Sequence, residues 1–234
     1  MPEMRWSYRF CRFLSQWTCV LLLKTRVFGL RHFPAHGGVL LVSNHQSFMD
    51  PVLVTMALYR EGNYMARDTL FGNRWFRRLI VFLNAFPIRR GSADLLAIKE
   101  TMRRLKDGRV VAAFPEGTRS RDGHVGPMLA GLATVAKKCK APIVPTLIDG
   151  MVQAWPRHRK LPGFGDVIIE YGKPITAEEY ASMTPDELTD EIRRRIIKMQ
   201  ERWHRRVPAR RLSWFCRPSA PDGAASACTS QAQA

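Results

Sequence analysis

Acid is scarce in this chain. Its 20 Asp and Glu residues stand against 37 Lys and Arg, which leaves a formal charge of +17 and a pI near 10.5. That balance predicts an anionic partner: a nucleic acid, a phosphate-bearing substrate or an anionic membrane surface. Charge alone does not choose among them. Cysteine is sparse too, with five residues (Cys11, Cys19, Cys139, Cys216 and Cys228), odd in number and scattered. They form no Cys-x-x-Cys pair and no Cys/His cluster with zinc-finger spacing, so neither a disulfide framework nor a zinc site is supported, and a reducing compartment is the default. Long apolar runs are missing as well. The longest uncharged stretch near the N-terminus, residues 13–23, falls short of the roughly 20 residues that span a bilayer. No small-residue cleavage site follows it, so a secretory signal is not expected. There is no internal repeat.

What is present suits one α/β domain. A length of 234 residues with 46% hydrophobic residues is enough for a real core. The first 33 residues are aromatic and apolar yet studded with Arg5, Arg9, Arg12, Lys24 and Arg26. They read as an amphipathic helical element, either lying in a membrane interface or capping the core. "GGVLLVSN" (37–44) reads as a buried strand, and "DPVLVTMALYR" (50–60) as a helix with Asp50 at the N-cap and Pro51 at the first helical position. "NYMAR" (63–67) suits a short strand, 73–85 a helix, and "FPIRRG" a strand end or loop. Residues 93–108 form an amphipathic helix stopped by Gly108, and 109–118 an apolar strand that turns polar at its end. Helix at 129–140, strand at 141–150, an edge or half-buried strand at 165–175 and a helix at 184–206 complete the pattern. Strands alternating with helices predict a central, largely parallel sheet flanked by helices. The domain is expected over 34–217, with a disordered tail at 218–234.

The chemistry gathers in "LLVSNHQSFMDP" (40–51), where an apolar run meets Asn44, His45, Ser47 and Asp50. On one continuous helix, five residues would leave His45 and Asp50 about 140° apart. A turn between strand and helix instead lets the carboxylate take a hydrogen bond from one ring nitrogen of His45, leaving the other free as a base. Ser47 either completes a triad or serves as a turn hydroxyl. Spacing alone favours a helix cap beside an ordinary loop histidine. A second cluster, "FPEGTRSRDG" (114–123), ends another buried strand. In an open parallel sheet such loops converge on one crevice. There Gly117 permits a tight turn, Thr118 and Ser120 add hydroxyls, Arg119 offers a fork for phosphate, and Glu116 braces Arg119 or binds a polyol. Arg89 and Arg90 precede a helix N-terminus, either as an anion site or as a solvated pair. "RRRIIKMQERWHRRVPARRLSWFCR" (193–217) sets ten Lys/Arg against one acid, Glu201, with aromatics interleaved, as an anionic bilayer selects and a nucleic acid also would.

These blocks carry a resemblance. "NHQSFMD" is similar to the His-x-x-x-x-Asp signature of the glycerolipid acyltransferases, "FPIRRG" and "FPEGTRS" resemble their next blocks, and "APIVPTLIDG" their last. All four stand in the family's order, and the whole resembles the bacterial 1-acyl-glycerol-3-phosphate acyltransferase type. The resemblance implies that His45 is the general base and Asp50 its orienting partner. It implies that Arg90, Glu116, Gly117, Thr118, Arg119 and Ser120 bind the glycerol phosphate, and that Pro145 is structural or lines the acyl pocket. It further implies a fatty acyl group moved from acyl-CoA or acyl-carrier protein to a lysophospholipid, with no metal or cofactor and no nucleic acid, on the cytoplasmic face of the cell membrane as a peripheral or monotopic enzyme. The chain departs from the family in having "GPMLAGLATVA" (126–136) where many members carry a lysine and a further basic residue. Another lysolipid or hydroxylated lipid is therefore the alternative acceptor. A non-catalytic basic binding protein and a thioester hydrolase are the readings from other classes.

Overall fold

The computed structural model describes residues 4–89, 94–156, 159, 161 and 163–206. Arg90 and the tail from 207 onward lie outside the described residues.

Seven strands form one sheet: β1 (Arg26–Phe28), β2 (Val39–Ser43), β3 (Gly62–Arg67), β4 (Ala85–Ile88), β5 (Val110–Ala113), β6 (Ile143–Asp149) and β7 (Ile168–Tyr171), in the order β1-β7-β6-β2-β5-β3-β4. The five from β6 to β4 are parallel, β7 runs antiparallel to β6, and β1 is parallel to β7. The expected α/β architecture with a largely parallel sheet is therefore present.

Side chains alternate faces along a strand, and the central strands are apolar on both. Val39 and Leu41 of β2, with Val110 and Ala112 of β5, pack on one face against helices α1 (Trp6–Leu23), α2 (Asp50–Met56), α3 (Arg74–Phe82) and α6 (Met151–Ala154). Leu40 and Val42, with Val111 and Ala113, pack on the other face against α4 (Leu95–Lys106), α5 (Gly131–Cys139) and α7 (Pro185–Arg206). Three layers result. Capping is written locally: Asn73 and Asp94 accept from the first N–H groups of α3 and α4, and Thr184 and Glu187 form a reciprocal box at the start of α7.

Two expectations change. Residues 165–175 are not an edge: β7 is an inner strand with Ile168, Ile169 and Tyr171 fully buried, because β1 covers its outer side. Three residues are too few to show a period in sequence, and β1 exists because β7 offers it a ladder. Asp50 is also not the N-cap of α2. Met49 holds that position, and Asp50, the first helical residue, is turned back onto the preceding loop. The helix is also shorter than expected, ending at Met56.

α1 climbs the sheet face from the foot of β3 to the crest of the parallel strands. At its base Arg5 pairs with Glu61, and the Gly62 N–H donates to the Tyr8 hydroxyl at 3.1 Å. At its top the Val167 N–H donates to the Leu23 carbonyl at 3.0 Å. Its opposite side leaves Trp6, Phe10, Phe13, Leu14, Trp17, Val20 and Leu21 exposed.

Candidate active site

The connections leaving the neighbouring strands β2 and β5 go to opposite faces of the sheet, α2 to one and α5 to the other. That divergence opens a crevice at the strands' C-terminal ends. His45 and Asp50 sit on one lip and residues 114–123 on the other. The Ser120 N–H donates to the His45 carbonyl at 2.7 Å, so the two clusters predicted to converge are hydrogen-bonded to each other.

The loop after β2 is held by its own polar side chains. Asn44 exchanges two 2.8 Å hydrogen bonds with the Ile148 backbone, extending the β2–β6 ladder by one residue. Gln46 donates to the Gly123 carbonyl at 2.8 Å and to Asp149 Oδ1 at 3.3 Å, and it accepts from the Met151 N–H at 3.0 Å. Between these anchors the chain doubles back. Asp50, fully buried, accepts at Oδ2 from the Gln46 N–H (2.5 Å), the Ser47 N–H (2.7 Å) and His45 Nδ1 (2.8 Å). A carboxylate oxygen only accepts, so a ring proton sits on Nδ1, and in the neutral imidazole the lone pair is then on Nε2. Phe114 covers the imidazole with ring centroids 4.6 Å apart. His45 is 9% exposed, so its imidazole is largely shielded from solvent.

Ser47 does not complete a triad. Its hydroxyl lies 3.5 Å from the Trp155 carbonyl, away from the imidazole.

The loop after β5 turns at Phe114–Gly117, where the Gly117 N–H donates to the Phe114 carbonyl at 3.1 Å. Gly117 has φ +67°, a left-handed conformation that costs other residues more than glycine. Its N–H is committed to the turn and is not an oxyanion donor. Among the described residues, the N–H groups of Thr118 and Arg119, next along the loop, have no hydrogen-bond partner. Ser120 is occupied: its hydroxyl donates to Asp122 at 2.9 Å and accepts from the Gly123 N–H at 2.8 Å.

Glu116 does not brace Arg119; among the described residues the two form no ion pair. Its carboxyl is turned inward, where burial pushes it up to about 7 and the Asp50 charge adds to the rise. The backbone N–H groups of His45 and Gly126, and the Arg193 guanidinium, oppose that shift. Oε1 of Glu116 is buried without a partner. Near neutral pH this group is thus substantially a neutral acid beside the base.

Arg89 follows β4, three strand spacings from β2, or about 14 Å. Its side chain is exposed and its N–H donates to Asp94 at 2.8 Å. Pro145 is buried within β6, beside Val42 of β2. Part of the basic run from 193 is engaged by the domain itself: Arg193 donates to the Gly126 and Val125 carbonyls, Arg194 and Arg195 pair with Glu191, and Arg202 and Trp203 both bind Glu170. Only its part beyond Arg206 stands outside the described residues. Sequence reasoning missed a second pair at the same crest, His204 Nε2 and Asp149 Oδ2 at 2.8 Å. Its partners are 55 positions apart, so no local signal announces it.

The comparisons agree with this geometry. Residues 24–149 match the family model described as Acyltransferase, and the chain belongs to that family. It is 26% identical over 200 residues to the 1-acyl-sn-glycerol-3-phosphate acyltransferase of Bacillus subtilis, covering 83% of this chain and 98% of that one. It is 30% identical over 202 residues to a chloroplastic 1-acyl-sn-glycerol-3-phosphate acyltransferase of Brassica napus, covering 83% of this chain and 57% of the longer plant protein. The crystal structure of the 1-acyl-sn-glycerophosphate acyltransferase of Thermotoga maritima superposes with a TM-score of 0.72 at 25% identity, covering 85% of this chain and 78% of that one.

Proposed function

We propose that this acyltransferase moves a fatty acyl group from an acyl thioester, acyl-CoA or acyl-carrier protein, to the free hydroxyl of 1-acyl-glycerol-3-phosphate, giving phosphatidate. The observation that carries the chemistry is the 2.8 Å contact between His45 Nδ1 and the buried Asp50 carboxylate. The names of the relatives support the acceptor.

The acceptor hydroxyl donates to His45 Nε2. As its oxygen bonds to the thioester carbonyl carbon, the proton passes to Nε2. Asp50 steadies the imidazolium without taking the proton itself. The carbonyl oxygen gains negative charge, for which the N–H groups of Thr118 and Arg119 are the candidate donors. Collapse of the tetrahedral species breaks the C–S bond, and the leaving thiolate recovers the proton from Nε2. Ester and thiol are the products, and the enzyme is unchanged. The transfer as written draws on no metal or cofactor.

Arg119 supplies charge for the glycerol phosphate, and Arg90, outside the described residues, is a further candidate. Glu116 suits this neighbourhood as a neutral acid, because a second full negative charge would repel the phosphate. The exposed aromatic side of α1 supports docking on a membrane, with the crevice facing the cytoplasm. No helix among the described residues is long and apolar enough to cross one.

The test is a panel of lysolipid acceptors with a labelled acyl donor, read by product mass. Phosphatidate from lysophosphatidate, abolished in His45→Ala, is the expected result. Equal or better use of another acceptor would sink the substrate assignment, and release of free fatty acid alone would point to a hydrolase.

A further inference from the structure

Helix α3 is an odd helix for a soluble surface. It presents few residues to the core: Ile80 is buried, and Phe76 packs partly against it. Trp75 and Leu79, one turn apart, are 73% and 49% exposed. Arg74 and Arg78, also one turn apart, run beside them with their guanidinium groups 5.9 and 5.5 Å from the centre of the Trp75 ring. An isolated surface tryptophan needs no explanation, but an apolar stripe bordered by a cationic one does. Across residues 67–82 the exposed charges are Arg67, Arg74, Arg77 and Arg78 against the single carboxylate of Asp68.

Its position adds to the case. α3 follows β3 and starts at the end of the sheet where the crevice opens. Phe48, in the turn between His45 and Asp50, lies 6.1 Å from the Phe76 ring. An apolar groove of about 630 Å3 runs between Thr69, Leu70, Asn73, Trp75, Phe76 and Leu79. On the same face of the sheet, the upper half of α1 exposes Trp17, Val20 and Leu21. Exposed apolar side chains thus stand on α1, on α3 and, between His45 and Asp50, at Phe48.

We propose that α3 is a second membrane contact: it lies in the headgroup layer of an anionic phospholipid bilayer, with Trp75 and Leu79 among the upper acyl carbons and Arg74, Arg77 and Arg78 on lipid phosphates. Tryptophan at the interface and arginine among the phosphates are the positions each side chain prefers. With α1 as the other support, the crevice mouth is held against the lipid surface at two points, and an acceptor need not leave the bilayer to bring its hydroxyl to His45. That last step rests on the acyl transfer proposed above; the docking itself does not.

The experiment is sedimentation of the full chain with vesicles of phosphatidylglycerol and phosphatidylethanolamine, together with quenching of tryptophan by lipids brominated on the upper acyl chain. The double variant Trp75→Ser, Leu79→Ser alters only exposed side chains, and circular dichroism confirms its fold. It is expected to partition to anionic vesicles roughly tenfold more weakly. Trp75→Phe alone is expected to remove a distinct share of the bromolipid quenching, and Arg74→Gln with Arg78→Gln to weaken binding to anionic but not to zwitterionic vesicles. Unchanged partitioning with a Trp75 that stays open to acrylamide on vesicles overturns the proposal. So does a double variant that binds vesicles normally but loses affinity for acyl-carrier protein, since that would make α3 a protein-docking face. If binding falls as expected while no acyl transfer is found with any lysolipid, the docking stands and the proposed reaction fails.

Discussion

Two histidine–aspartate pairs sit at the crest of this sheet, and they differ in how they are built. In each the contact is 2.8 Å and the carboxylate is fully buried. His45 and Asp50 belong to one turn, and the same carboxylate oxygen gathers two backbone N–H groups from that turn. His204 and Asp149 come from α7 and the end of β6, and their neighbours are the amides of Gln46 and Gln200, both donating to the Gly123 carbonyl. His45 and Asp50 lie five positions apart, so the first pair needs no distant element to close it. The second spans the chain and ties the last turn of α7 to the sheet. The first is the pair proposed to move a proton, and the second joins two elements distant in sequence.

The largest effect should separate them. His45→Ala is expected to lower kcat/KM for acyl transfer by about 10³-fold or more, the range of a lost general base. His204→Ala is expected to stay within about tenfold of the wild type. Comparable losses in both variants, measured on folded protein, would break the contrast and make the crest a single catalytic network.

The same contrast explains what could be read in advance. His45 and Asp50 were legible because five residues separate them, although the reading of Asp50 as an N-cap missed the donors upstream that turn it back. The convergence of 114–123 with that loop followed from parallel topology alone, and the Ser120–His45 bond confirms it. The pairing of His204 with Asp149, the edge strand β1 and the inward turn of Glu116 were not legible. Each depends on a partner tens of residues away that no local period encodes. Some partners of the basic run from Arg193 were hidden for the same reason: Glu170 holds Arg202 and the Gly126 carbonyl holds Arg193.

The next effect is on stability, and it runs the other way. Asp149→Ala removes the buried acceptor of His204, Gln46 and the Gly150 N–H at once. It is expected to cost about 3 kcal/mol in urea unfolding, because three donors lose this shared acceptor inside the fold. Asp50→Asn keeps an acceptor oxygen for its turn and is expected to cost less, about 1–2 kcal/mol, while lowering activity by 10²-fold or more. If Asp149→Ala were the milder of the two in unfolding, the role of strut would not hold.

Glu116 sharpens the comparison further, because a buried acid stands beside the His45 turn, while the other pair has amides in that place. Its carboxyl is raised from an ordinary 4.5 to about 7. A raised acid binds its proton more tightly when folded, so its contribution to stability is complete below about pH 4.5 and is lost as pH climbs through about 7. The wild type should therefore lose more stability than Glu116→Gln between pH 5 and pH 8, by no more than about 3 kcal/mol. Urea midpoints at the two pH values give the difference directly. Parallel losses would show that Glu116 does not carry the pH dependence.

The smallest expected effect concerns Ser47, the hydroxyl that the sequence offers as a third member for the first pair. Its oxygen points to the Trp155 carbonyl at 3.5 Å, too long for a strong hydrogen bond, while its backbone N–H does the structural work by donating to Asp50. Ser47→Ala keeps that N–H. It should change kcat/KM by less than about threefold and stability by less than about 1 kcal/mol. The acyl group would then never reside on the protein, and rapid-quench trapping with labelled thioester should find no acyl-enzyme. A trapped ester that disappears in Ser47→Ala would replace direct transfer with a two-step mechanism, and would give the His45 turn a nucleophile that the His204 pair has no counterpart for.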